Sequence, residues 1–277
     1  MEVERTRAPG RHRRLAALAA LALAATIPAA AMAKPAPSGY QTSSPGYVAL
    51  ESGVGGSVVP LVNSGEQIFG DIFEGIPDGI GVVPGKKNKG YVDLYVAHEQ
   101  SHVPFGLTAT SVFADYQDSS VSRVRVDIAS RSITDLAVPL SPRLGFLRFC
   151  SATMVGPDQG FPHYTFLVNE ESNDVVPVPA GAPYGSDPAA PAGQRQGGYS
   201  AYLDTRTGKV GVLAGAGRLN HENTVVVPGW KKGIYALTGD DTFTSPSTPT
   251  RPNLSQLYMY GAKNAAHFLK DDGQLWA

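Results

Sequence analysis

The sequence predicts an all-β protein, a β-propeller, and three observations carry that expectation. Strand signals dominate, and no stretch after residue 34 holds a 3.6-residue apolar period with caps at both ends. The 31 Gly and 22 Pro in 277 residues are spread along the whole length, as many turns between short strands require. One pattern, a short apolar strand running into acids, also recurs about every 70 residues.

The repeat begins with Asp93–Gln100 (DLYVAHEQ), returns at Tyr164–Ser172 (YTFLVNEES) and again at Gly233–Asp241 (GIYALTGDD). Aligned on Glu99, Glu170 and Asp240, the copies stand 71 and 70 residues apart. A hairpin pattern follows each one. Val121–Asp135 alternates, turns and resumes; Ser200–Leu213 does the same, with Asp204 and Thr207-Gly208 setting the turn; Ser255–Asn264 is a less regular third copy. A long-period β repeat of this kind suggests propeller blades around a channel, with equivalent strand ends pointing at one place. A meander of unrelated strands with solvated acidic ends is the competing reading.

The first 33 residues read as a signal peptide. Arg11, Arg13 and Arg14 form a cationic start, Leu15–Ile27 an apolar core, and Ala31-Met32-Ala33 a cleavage site before Lys34. That apolar core is too short to span a bilayer, so a secreted protein without a membrane span after cleavage is expected. Residues 34–59 read as a linker and 60–277 as the propeller domain. The repeat leaves room for about three to four blades where closed propellers have about four to eight. The chain therefore reads as the front part of a longer propeller, truncated at its C-terminus.

Composition excludes other classes. Hydrophobic residues make up 42% and charged residues 17%, a packed chain rather than a disordered one. A net charge of −1 without a basic block argues against nucleic-acid binding. Neither a GxSxG elbow, a phosphate-binding P-loop, a dinucleotide fingerprint nor HExxH is present. Gly75–Gly79 (GIPDG) has the order of a tight turn and reads as purely structural.

Acids at the repeated strand ends, Glu99, Glu170, Glu171, Asp240 and Asp241, together with Glu222, are candidates for binding hard cations through carboxylate oxygen. Each taken alone reads better as a solvated turn residue; their joint placement points to a metal. Cys150 is the single cysteine, either a small buried hydrophobe or a metal-bound thiolate. His98 and His221 each precede a Glu, as core residues or as groups that orient a ligating neighbour.

Four segments taken in order resemble the PhoX-type alkaline phosphatases, secreted six-bladed propellers. They are GIPDGIG (Gly75–Gly81) with VDLYVAHEQ, RFCSAT (Arg148–Thr153) with LVNEES, GRLNHENTVVV, and IYALTGDD. The resemblance covers about residues 60–277, the front half of a family member. It implies a site of iron (Fe3+) and calcium, with Cys150, Glu170, Glu171 and Glu222 as metal ligands. Glu99, Asp240 and Asp241 are weaker metal candidates, and Arg218 is a candidate phosphate contact. The chain departs from the family pattern at Phe149, at Ser151-Ala152-Thr153 and at Ala97. The implied activity is hydrolysis of a phosphate monoester by a secreted monomer. A non-catalytic calcium-binding propeller module is the alternative, and a propeller hydrolase acting on another ester is a third reading.

Overall fold

Alternating apolar and polar residues from Ile76 onward build strands, and in the computed structural model these fall into three antiparallel sheets of four. The structure describes residues 39–86, 89–99, 118–229, 232–242 and 255–277, all within a compact unit, Pro37–Ala277. The expected signal peptide lies outside the described residues. Among the described residues no helix is long and apolar enough to cross a membrane.

A short hairpin, β1 (Gln67–Ile68) and β2 (Asp71–Ile72), precedes the first sheet. That sheet runs in chain order through β3 (Ile76–Pro84), β4 (Tyr91–Glu99), β5 (Ser120–Asp127) and β6 (Ser132–Leu140). The second begins with β7 (Phe149–Val155) and β8 (Thr165–Glu170). A small hairpin follows, β9 (Val175–Pro177) and β10 (Gln194–Gln196), and the sheet resumes with β11 (Ser200–Asp204) and β12 (Val210–Leu213). The third comprises β13 (His221–Val226), β14 (Ile234–Asp240), β15 (Leu257–Ala262) and β16 (Gln274–Trp276). The protein is all-β in character, and none of these sheets closes into a barrel.

The three acidic-ended segments of the sequence become β4, β8 and β14, the second strand of each sheet. The downstream hairpins become the third and fourth strands in the first two sheets. Asp204 closes its turn as expected, accepting from the backbone N–H groups of Arg206 and Thr207 at 2.9 and 3.1 Å, with Gly208 at φ 73°. The third copy departs from the hairpin pattern. After β15 the chain enters a one-turn helix, α1 (Ala265–Leu269), capped by the Asn264 side chain on His267 N, before β16 pairs back onto β15.

The core lies between the sheets. Tyr95, Ala97, Val121 and Leu140 of the first meet Phe149, Phe166, Val168 and Ala201 of the second. Val155, Leu167 and Tyr202 meet Val226, Ile234, Ala236, Tyr260 and Phe268 on the other side. The middle sheet is thus covered on both faces, which is why all six residues of β8 are buried and its pattern does not alternate. The outer face of the first sheet is covered by the preceding segment. Tyr40 exchanges two backbone hydrogen bonds with Ile133, and Ile68 and Phe73 pack on Val96, Val124 and Leu136.

The first strands, β3, β7 and β13, lie side by side with β7 in the middle. Gly79 makes this possible on the β3 side: a Cβ there would stand 2.3 Å from the backbone N of Ala152.

Candidate metal centre

Each sheet carries the same irregularity at the same end. Pairing of β3 with β4 jumps from Pro77↔His98 to Ile80↔Val96, so Asp78 and Gly79 oppose Ala97 alone. Pairing of β7 with β8 jumps from Phe149↔Glu170 to Ala152↔Val168, so Cys150 and Ser151 oppose Asn169. Pairing of β13 with β14 jumps from His221↔Asp240 to Thr224↔Thr238, so Glu222 and Asn223 oppose Gly239. These are β-bulges, which re-aim a side chain that a regular strand would send elsewhere. The leading residue of each bulge is Asp78, Cys150 or Glu222.

The residue one step beyond each bulge's outer pair comes from the second strand. Glu99 pairs with Ile76, Glu171 N donates to Arg148 O at 2.9 Å, and Asp241 N donates to Asn220 O at 2.9 Å. The structural repeat is therefore Glu99, Glu171, Asp241, one residue off the sequence alignment in its second and third copies. Alternation makes that single step decisive, because it exchanges one face of the sheet for the other.

Side chains from the bulges and the strand ends converge. Donor atoms of Cys150, Glu171 and Glu222 all lie within 4.8 Å of one another, and so do those of Asp78, Glu99 and Cys150. Cys150 Sγ is 3.9 Å from Glu222 Oε2. All five residues are half-buried. Asp241 joins them through a side-chain hydrogen bond with Glu171.

The electrostatics follow from packing so many acids together. Burial, helped by repulsion from Asp78 and Glu222, raises the proton affinity of Glu99, while the Arg148 guanidinium opposes it. Burial and the charges of Asp241 and Glu222 raise Glu171. Glu222 is raised by burial and then by Asp241 and Asp78, and Asp78 by burial. Burial first, then the surrounding carboxylates, pushes the Cys150 thiol far up.

Three candidates from the sequence stand elsewhere. Glu170 is fully buried, and its carboxylate accepts from Leu147 N at 2.7 Å, Tyr199 N at 2.8 Å and the Arg195 guanidinium at 2.5 and 2.9 Å. Four donors fill a carboxylate's acceptor positions and leave it no role as a metal ligand. Asp240 pairs with His221 on that same reverse face, and its Oδ1 accepts from Thr242 Oγ1 at 2.6 Å. Arg218 is held by Asp187 at 2.5 Å, with its guanidinium 5.0 Å from the Tyr199 ring centre.

Two residues at the centre escaped the sequence reading. Asp78 sits in the Pro-Asp-Gly expected to be a tight turn, which is instead a bulged strand; a Pro and a Gly inside a strand are the signal for that. Arg148 precedes Cys150 at φ 46°, a conformation unusual for a residue with a side chain, and pairs with Asp174 at 3.4 Å. Both histidines are core residues. His98 and His221 are completely buried, and burial lowers each pKa to about 4. His98 Nε2 is 2.8 Å from Ser122 Oγ, and His221 Nδ1 is 3.1 Å from Thr238 Oγ1.

No family model matches the chain, and no curated protein matches it. Among solved structures, the chain is similar to Pseudomonas fluorescens PhoX in complex with vanadate, a transition state analogue, with 13% sequence identity and a TM-score of 0.43. That match covers 73% of this chain and 45% of the other, so the chain spans less than half the length of the structure it resembles.

Proposed function

We propose that this chain carries one wall of a metal centre serving a secreted phosphomonoester hydrolase of the PhoX type, with the three sheets as successive propeller blades. The observation that carries the metal reading is the convergence of Asp78, Cys150 and Glu222 from three equivalent bulges, with Glu99 and Glu171 between them. Bringing four carboxyls and a thiol together in half-buried positions is unfavourable by itself, as their raised proton affinities register. A multivalent cation removes that cost.

The donor set fits the implied metals. Carboxylate oxygens suit hard cations such as calcium and Fe3+, and a thiolate adds the soft ligand that favours a transition metal over calcium alone. Cys150, Glu171 and Glu222 would hold iron, with Asp78 and Glu99 on the side toward the first sheet. When bound, such cations supply Lewis-acid neutralisation of a phosphate monoester. The chain's own part is to aim its carboxylates and fix them through the bulged backbone, and Arg148 offers a cationic group beside Glu99.

The test is metal analysis of the full-length protein with an aryl phosphate assay at alkaline pH. Iron with a thiolate-to-iron absorption band that Cys150→Ser abolishes, together with phosphate release, supports the proposal. Calcium alone with no phosphate released favours the non-catalytic binding module instead.

A further inference from the structure

In the second sheet a hairpin, β9 and β10, is inserted between β8 and β11 and brings one arginine back against the end of β8. We propose that Arg195, acting through Glu170, is the positioning residue of the metal centre, fixing the backbone that carries Cys150 and the backbone that carries Glu171. This rests on the metal-centre reading above.

Arg195 and Glu170 are both completely buried. The guanidinium grips the carboxylate with two nitrogens, at 2.5 and 2.9 Å, and its Nη2 also donates to Gly145 O at 2.7 Å. It lies over the Tyr184 ring at 4.4 Å from the centroid, with the Tyr199 centroid at 5.3 Å. This is a setting for a planar fork and not for a lysine.

Glu170 distributes that grip to the ligand-bearing segments. One oxygen takes Leu147 N, three residues before Cys150, and the other takes Tyr199 N, immediately before β11. Its own peptide runs directly into Glu171, whose N–H is bonded to Arg148 O. Both strands leading to the two donor side chains are thus tied to one buried ion pair. The corresponding places in the other sheets hold His98 and Asp240, which have no such charge partner among the described residues. Arg195 makes no described contact with the cluster itself, so it acts by holding the ligands in place.

The experiment titrates Co2+ into full-length wild type, Arg195→Lys, Arg195→Met and a control, Phe268→Leu, in the core between the second and third sheets. All measurements are made well below every variant's Tm, reading thiolate-to-cobalt absorption. The expected result is a midpoint about tenfold or more higher for both Arg195 variants, with a shifted or weakened band. The control should keep the wild-type midpoint despite a lower Tm. If Arg195→Met fails to fold, Arg195→Lys carries the comparison. Arg195 variants that bind Co2+ like wild type would overturn the positioning role and leave the metal centre standing. Absence of a cobalt band in wild type would overturn both.

Discussion

Cys150 and Glu222 are 72 residues apart in sequence and occupy the same place in adjoining sheets, each the leading residue of a bulge, with Sγ 3.9 Å from Oε2. Their closeness therefore comes from repeated backbone geometry; the Cys150 thiol donates to the Glu222 carboxylate, while burial and the charges of Asp241 and Asp78 work against that carboxylate's ionisation. Glu222→Gln should raise the metal-free Tm, by about 2 °C or more if the relief approaches 1 kcal/mol. The same variant should weaken binding of an added cation by no less than the roughly tenfold loss typical of an outer partner. Thermal scans with and without chelator check both halves. A variant that melts lower in chelator and binds cation normally would show that Glu222 is only a packing residue.

Neighbouring glutamates should behave oppositely. Glu170→Ala leaves the Arg195 guanidinium buried without its partner, and removing one member of a buried pair typically costs about 3–5 kcal/mol. Glu171→Ala removes a half-buried carboxyl whose neighbours Asp241 and Glu222 repel it, so metal-free stability should hold or rise. Denaturant unfolding in chelator distinguishes them. Equal losses for the two variants would contradict the assignment of these residues to opposite faces.

That pair also marks how far the site was legible in the sequence. The repeat was legible: the acidic-ended segments do become second strands of three sheets, and Glu99, Glu171 and Glu222 were all picked out. The register was not, because two adjacent acids at a strand end satisfy the alternation equally well, and a slip of one residue exchanges the faces. What settles it for Glu170 is Arg195, 25 residues downstream in a hairpin whose return no local pattern announces. Asp78 was hidden for a different reason. Pro-Asp-Gly is good turn chemistry, and only pairing with β4 turns it into a bulge.

Gly79, beside Asp78, gives a prediction about assembly of the centre. A methyl group there would stand 2.3 Å from Ala152 N, a backbone atom that cannot rotate away. Gly79→Ala should force β3 from β7 at a cost of about 1–3 kcal/mol. It should also draw Asp78 away from Cys150, weakening cation binding beyond what the stability loss explains. A Gly79→Ala protein with wild-type Tm would mean that the two strands yield there, and the close packing assigned to them would be wrong.

The last prediction concerns pH in the absence of cations. Asp78, Glu99, Glu171 and Glu222 all have folded-state proton affinities above the ordinary carboxyl range. Groups raised in this way contribute stability that is fully present below the unfolded value and lost as pH rises through the folded one. The buried histidines work in the other direction. Their pKa falls from 6.5 to about 4, so their contribution is complete above 6.5 and is lost as pH falls toward 4. The cluster therefore lowers metal-free Tm as pH rises through its folded titration, the alkaline limb, and the histidines lower it as pH falls from 6.5 toward 4, the acid limb. Glu222→Gln should flatten the alkaline limb and leave the acid limb in place, since His98 and His221 are untouched. Added Ca2+ should reverse the alkaline slope, because the deprotonated cluster is the form that binds it. An alkaline limb that neither the substitution nor the cation alters would show that the decline originates outside the cluster.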